Sequence, residues 1–166
     1  FNLDQWDGYP AARERLLASI RTHANKRTVV LTGDIHTSWV GHLVEDPFVE
    51  GADPARDCAA VEFVTTSVTS PGIAAGNLAD RIAAGIIEQS PHLEYVELAR
   101  KGYVVLEVTA GTVHADYFFV AGILPGEGAE TFAVGFDTKR GEGNLARRDV
   151  ARPDRTGPAF APSPGE

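Results

Sequence analysis

The sequence predicts a mixed α/β (α+β) domain, and three observations carry that expectation. Apolar residues recur at helical spacing through Ala12, Leu16, Leu17 and Ile20. A β-branched run without polar alternation, Thr28-Val29-Val30-Leu31-Thr32, predicts a strand buried on both faces. Towards the end, Tyr103–Val108, Thr112–Val120 and a stretch near Thr131–Phe136 are rich in valine and aromatics. Ala110-Gly111 and Pro125-Gly126-Glu127-Gly128 separate them, so they predict an antiparallel meander.

The elements follow in order. Asp4-Gln5-Trp6-Asp7-Gly8-Tyr9-Pro10 is an aromatic loop running into a helix, because Pro10 suits a first helical turn. Arg13, Glu14, Arg15 and Arg21 fall off the apolar stripe, so the helix is expected to cover a sheet. The polar break at residues 23–27 leads to the first strand, which ends at Gly33-Asp34. Residues 45–57 are acidic and carry Pro47, Gly51 and Pro54, which predicts a long loop. Val61–Thr66 predicts a second strand, continuing into Ser67-Val68-Thr69-Ser70 and stopped by Pro71-Gly72. Asn77 is expected to cap a helix reaching about Gln89, with Leu78, Ile82 and Ile86 as its apolar stripe. Residues 1–138 form the body. Residues 139–166, dominated by glycine, proline and arginine, are expected to be a poorly ordered tail or to lie along another surface.

Charge bounds the partners. Lys and Arg number 15 against 23 Asp and Glu, a net −8 that opposes extended nucleic-acid binding or an anionic membrane surface. Phosphate esters stay possible if bound cations reverse the local sign. The tail carries Lys139, Arg140, Arg147, Arg148, Arg152 and Arg155 against Glu142, Asp149, Asp154 and Glu166, so it is +2 and the body −10. No stretch approaches the roughly 18 apolar residues of a membrane span, and no signal peptide opens the chain, so no membrane partner is expected. The chain begins at Phe1 and contains no methionine, so further residues are expected upstream. The single cysteine, Cys58, excludes an internal disulfide and reads as a free thiol in or under a loop.

The sharpest chemical signal is Leu31-Thr32-Gly33-Asp34-Ile35-His36. Side chains two apart in an extended segment point the same way. Asp34 and His36 at a strand end could therefore both reach a metal, with Ile35 turned into the core and Gly33 allowing a sharp turn. Carboxylate and imidazole suit Zn, Fe or Mn in a hydrolytic site. The same four residues also fit a capped turn with a surface histidine, and two ligands are too few for a catalytic metal.

Other candidates read as structural. His42 beside Leu43, His92 at a helix exit and His23 near a helix end fit packing or capping. His114 and Asp116 share one face of a strand with Phe118 and Val120 as a half-exposed pair, and Thr65, Thr66, Ser67, Thr69 and Ser70 fit strand and turn chemistry. A Ser38–His36 dyad is disfavoured because neighbouring strand positions seldom approach each other as base and nucleophile. There is no nucleophile elbow, P-loop, dinucleotide fingerprint or paired Cys-x-x-Cys.

Five ordered blocks carry a resemblance. They are Asp4–Pro10 before Arg13–Leu17; Val30–Trp39, with Gly33-Asp34-Ile35-His36 inside it; Glu62–Gly72; Pro91-His92-Leu93; and Gly102–Thr109 with Ala115-Asp116-Tyr117. The chain resembles the C-terminal portion of PhoD-like alkaline phosphatases, secreted phosphomonoesterases and phosphodiesterases of the calcineurin-like metallophosphoesterase superfamily. The resemblance implies the C-terminal half of a four-layer αββα sandwich, with a two- or three-metal site holding iron and calcium. It implies metal ligation and catalysis for Asp34 and His36, and active-site walls at Trp6, Tyr9, Ser67 and Thr69. It further implies hydrolysis of small phosphate mono- or diesters by metal-activated hydroxide, and export to the periplasm or the exterior.

The family's earlier motifs supply a cysteine, a tyrosine, aspartates and an asparagine, and these are not present here; Cys58 does not sit in their context. The chain alone is therefore expected to be inactive and to need the N-terminal half of the same domain. A purple-acid-phosphatase relative is disfavoured, since Gly-Asp-x-His replaces Gly-His-x-His. The alternative is a non-enzymatic, β-rich acidic binding module, in which Glu45, Asp46, Glu50, Asp53 and Asp57 take calcium or a protein partner, although their spacing fits no EF-hand.

Overall fold

A computed structural model describes residues 5–24, 26–73, 76–124 and 126–153. Asp4 and the end of the expected tail, 154–166, lie outside the described residues. A short 3-10 turn, Trp6–Gly8, enters α1 (Pro10–His23). The chain continues through β1 (Val29–Thr32), β2 (Ser38–Leu43), α2 (Pro54–Asp57), β3 (Ala60–Val64) and α3 (Gly76–Gln89). It ends with β4 (Leu93–Glu97), β5 (Gly102–Val108), β6 (Thr112–Val120), β7 (Glu130–Lys139) and β8 (Ala146–Arg148).

Among the described residues the strands make two four-stranded sheets. The first is mixed, ordered β1-β3-β2-β4, with β1 parallel to β3 and β2 antiparallel to both β3 and β4. The second is the expected meander, ordered β5-β6-β7-β8 and antiparallel throughout. The sheets face each other. Val40, Val61 and Phe63 of the first meet Ala115, Tyr117, Val134 and Phe136 of the second in one core. Burying such side chains contributes about 1.5–3 kcal/mol each, which makes this interlayer the main source of stability.

The helices belong to the first sheet, but their faces differ from the expected stripes. In α3 the buried residues are Ala79 and Ala83, packed with Val96 and Leu98; of the expected stripe Ile86 packs against the same cluster, while Leu78 and Ile82 are exposed. Small side chains let the helix backbone approach the sheet, so the larger isoleucine and leucine flank the contact instead of filling it. Asn77 lies inside α3 and does not precede it. In α1 only Leu17 is buried, and two of the arginines off the stripe do the anchoring. Arg13 donates to the Val44 carbonyl at 2.6 Å, and Arg21 donates to the Asp57 carbonyl at 3.0 Å and pairs with Glu45.

Three further differences follow from packing. β1 is an edge strand with Leu31 and Thr32 exposed, so it is half-buried and not buried on both faces. β2 and β4, unmarked by any clear alternation, fill the middle and the far edge of the first sheet. Within the segment from residue 139, expected to be poorly ordered or to lie along another surface, β8 pairs with β7 in register. Arg148 and Arg152 there reach the carboxylates of Asp116, Asp137 and Glu107, so the basic excess of this segment is spent on the acidic body.

Candidate metal centre

The end of the first sheet where β1 and β3 run out is the usual place for a site in an α/β sheet. Thr65 N–H still donates to the Thr32 carbonyl at 2.9 Å, one step beyond the ladder, and the chain then turns through residues 33–37 into β2. The turn is not the extended segment that the two-residue spacing suggested. Asp34 has φ +77° and His36 φ +60°, both in the left-handed region, whereas Gly33 is not. Ile35 N–H donates to the Gly33 carbonyl at 3.0 Å, a one-residue turn centred on Asp34. With positive φ this is the uncommon, strained kind of γ-turn. Non-glycine residues so placed cost about 1–3 kcal/mol each and persist only where surrounding contacts dictate them.

Those contacts are visible. His36 Nδ1 lies 3.1 Å from the Pro71 carbonyl. A carbonyl only accepts, so Nδ1 carries a proton, the arrangement of a metal-ligating histidine held by an outer acceptor. The buried Thr66 hydroxyl lies 2.9 Å from the His36 carbonyl and 3.1 Å from that of Arg100. Arg100 is fixed in turn by Glu97, whose carboxylate accepts from Ala99 N–H, Arg100 N–H and Arg100 Nε. Burial pushes the Glu97 carboxyl up, but these donors outweigh it and hold the group below its ordinary value.

Asp34 is exposed and His36 half-buried. Among the described residues no hydrogen bond or ion pair occupies the Asp34 carboxylate, so it is available to a cation. A carboxylate and an imidazole are donors of the kind that suit a hydrolytic metal, but two are fewer than such a site needs. No group of three or more His, Cys, Asp or Glu placed to hold an ion occurs among the described residues.

The remaining candidates are placed as follows. Ser67 is half-buried and its hydroxyl donates to the Ser70 carbonyl at 2.7 Å; Thr69 is exposed beside it. Trp6 and Tyr9 are about half-exposed at the start of α1, and among the described residues no hydrogen bond joins them to the Asp34–His36 turn. Ile35 is half-buried. His42 is buried in β2 with neither ring nitrogen hydrogen-bonded, and burial pulls it below its ordinary value against the opposing Glu94 carboxylate. His23 bonds the Ser19 carbonyl within α1, and the His92 ring meets Phe48 edge-on. His114 and Asp116 are more buried than a half-exposed pair: Asp137 holds His114 at 2.8 Å and Arg148 holds Asp116. Cys58 is a buried free thiol in contact with the Ala55 and Gly143 carbonyls. In the acidic loop Glu45 pairs with Arg21, Asp46 accepts from Phe48 N–H, Asp53 caps α2 and Asp57 binds Arg56. Four of the five carboxylates are thus engaged within the loop or with α1.

The residues that the spacing missed are Thr66, Pro71 and Glu97. A hydroxyl-rich run ending in Pro-Gly directly after a strand was the available signal, but a backbone carbonyl as the histidine's partner leaves no mark in sequence.

Comparison with known proteins places the chain in a family. The PhoD-like phosphatase family matches residues 1–117, a span that contains the Asp34–His36 turn, Thr66 and Glu97. Alkaline phosphatase D of Bacillus subtilis (strain 168) is 38% identical over 117 residues, 70% of this chain and 19% of its own length. The solved structure of PhoD superposes on 90% of this chain and 27% of its own, with a TM-score of 0.72 and 32% identity. The chain thus spans about a fifth to a quarter of the relatives that it matches. On these grounds the chain belongs to the PhoD-like phosphatase family.

Proposed function

We propose that these residues form part of a metal-dependent phosphatase or phosphodiesterase that hydrolyses small phosphate mono- or diesters. The observation that carries the reading is the His36 ring, its Nδ1 proton held by Pro71, in the same short left-handed turn as an Asp34 carboxylate that has no partner among the described residues. Family membership supports it.

Asp34 and His36 would hold a cation, with iron and calcium as the proposed ions. When bound, such ions neutralise phosphoryl oxygens and acidify the attacking water. The chain's own residues do the rest. Pro71 fixes the histidine tautomer, and the left-handed backbone at Asp34 and His36 presents both side chains from one short turn. Trp6, Tyr9, Ser67 and Thr69 are proposed as walls of the substrate site. Two ligands are fewer than a catalytic metal needs, so the remaining ligands must come from elsewhere in the same domain and this chain alone is inactive. Export to the periplasm or exterior belongs to the same proposal.

The test uses Asp34→Asn and His36→Asn in the full-length gene product, since asparagine tolerates the left-handed backbone that alanine would strain. Both variants are expected to lose bound metal and phosphodiester hydrolysis together. Unchanged metal content with full activity in both would overturn the assignment.

A further inference from the structure

Resting on that reading, we propose that Thr66 is a positioning residue for the metal-binding turn, acting through the His36 backbone carbonyl. The turn stores strain at two non-glycine positions, and its own hydrogen bond, Ile35 to Gly33, reaches only Asp34. Something outside must fix the peptide after His36.

Thr66 does so. Its hydroxyl has one proton and faces two carbonyls, His36 at 2.9 Å and Arg100 at 3.1 Å, so it ties the metal-binding turn to the loop that leaves β4. Both attachment points are stiff. Thr66 is 7% exposed and lies two residues beyond β3, and the Arg100 end is clamped by the three donors on the 6%-exposed Glu97 carboxylate. The Arg100 guanidinium also lies 4.3 Å from the centre of the Phe119 ring. The path runs from Phe119 and Glu97 through the Arg100 peptide and the Thr66 hydroxyl to the peptide carrying His36. Pro71 holds the ring of that residue while Thr66 holds its backbone. Losing either lets Nε2 swing, and outer contacts of this kind change metal affinity by about 10–100-fold.

The experiment compares Thr66→Val, Thr66→Ala and Thr66→Ser in the full-length gene product. Metal content is followed by elemental analysis during dialysis against a chelator, with thermal melting as the folding control. Valine and alanine are expected to shorten metal retention about tenfold or more, whereas serine, which keeps the hydroxyl, retains metal within about threefold of the natural protein. Alanine is included because it deletes the hydroxyl without pressing a methyl group on the two carbonyls. Equal retention in a folded valine or alanine variant overturns the proposal, and so does a serine variant as leaky as valine. A natural protein whose metal content is indifferent to Asp34→Asn sinks the underlying phosphoesterase reading instead, and the two failures are thus distinguishable.

Discussion

Arg148 on β8 passes over Gly135, its register partner on β7. A Cβ built on Gly135 would stand 2.7 Å from Arg148 Nη2 and 2.6 Å from Asp116 Oδ1. The missing side chain is the channel through which the guanidinium reaches Asp116, while its Nε binds Asp137 at 2.7 Å. Asp116 also accepts from Arg152 N–H, and Arg152 Nε lies 3.2 Å from Glu107. Burial pushes the Asp137 carboxyl up, but His114 and Arg148 more than offset it.

Gly135→Ala should therefore destabilise the fold by about 1–3 kcal/mol, the usual cost of overpacking a filled site. Urea unfolding measures it, with Gly111→Ala as a control, since nothing lies within 4 Å of a Cβ at Gly111. Equal midpoints for the two variants would refute the channel.

Strain in the Asp34–His36 turn predicts an ordering of stabilities. Asp34→Gly removes a left-handed side chain, whose cost is about 1–2 kcal/mol, and gives back part of that gain as glycine's greater chain entropy. It should be at least as stable as the natural protein, and Asp34→Ala less stable than both. Gly33→Ala should be tolerated, because Gly33 is not left-handed and open space surrounds it. Chemical denaturation of the four proteins ranks them. An Asp34→Gly variant clearly less stable than the natural protein contradicts the strain argument.

His42 makes acid destabilising. Its folded value lies below the ordinary 6.5, so between the two values the unfolded chain binds more protons than the native one. The contribution of neutral His42 is complete above pH 6.5 and falls as pH drops towards the folded value. His42→Leu should flatten the loss of stability between neutral pH and that lower value. Identical pH profiles for the two proteins would show that His42 takes no part.

Burial raises the Cys58 thiol above its ordinary value, and the group is 3% exposed. The native protein should resist a thiol reagent such as DTNB at pH 8 and react fully in denaturant, because the thiolate is the nucleophile. Fast native labelling would place Cys58 in a mobile segment.

Much of the fold was legible because it obeys local periodicity. The meander alternates valine and aromatics over long strands, and Pro10 and the stripe marked α1. β2 and β4 escaped because short Ser-Trp-Val-Gly-His-Leu and Leu-Glu-Tyr-Val-Glu runs acquire their burial from neighbours, and because Gly41 is demanded by an approach to the His92 carbonyl visible only in three dimensions. In α3 hydrophobicity pointed to Ile82 and Leu78, whereas close packing chose Ala79 and Ala83. At the candidate site, residue identity singled out Asp34 and His36, but the geometry that presents them is left-handed backbone, which no alternation rule anticipates.

The position of β1 at the border of the first sheet has a practical consequence. One whole side of that strand offers amides and carbonyls with no ladder partner among the described residues, next to an outward Leu31 that is 59% exposed. Such a border is a template for any other extended chain. Produced as an isolated polypeptide, these 166 residues should self-associate as concentration rises, border against border, and a charged replacement at Leu31 should keep them dispersed.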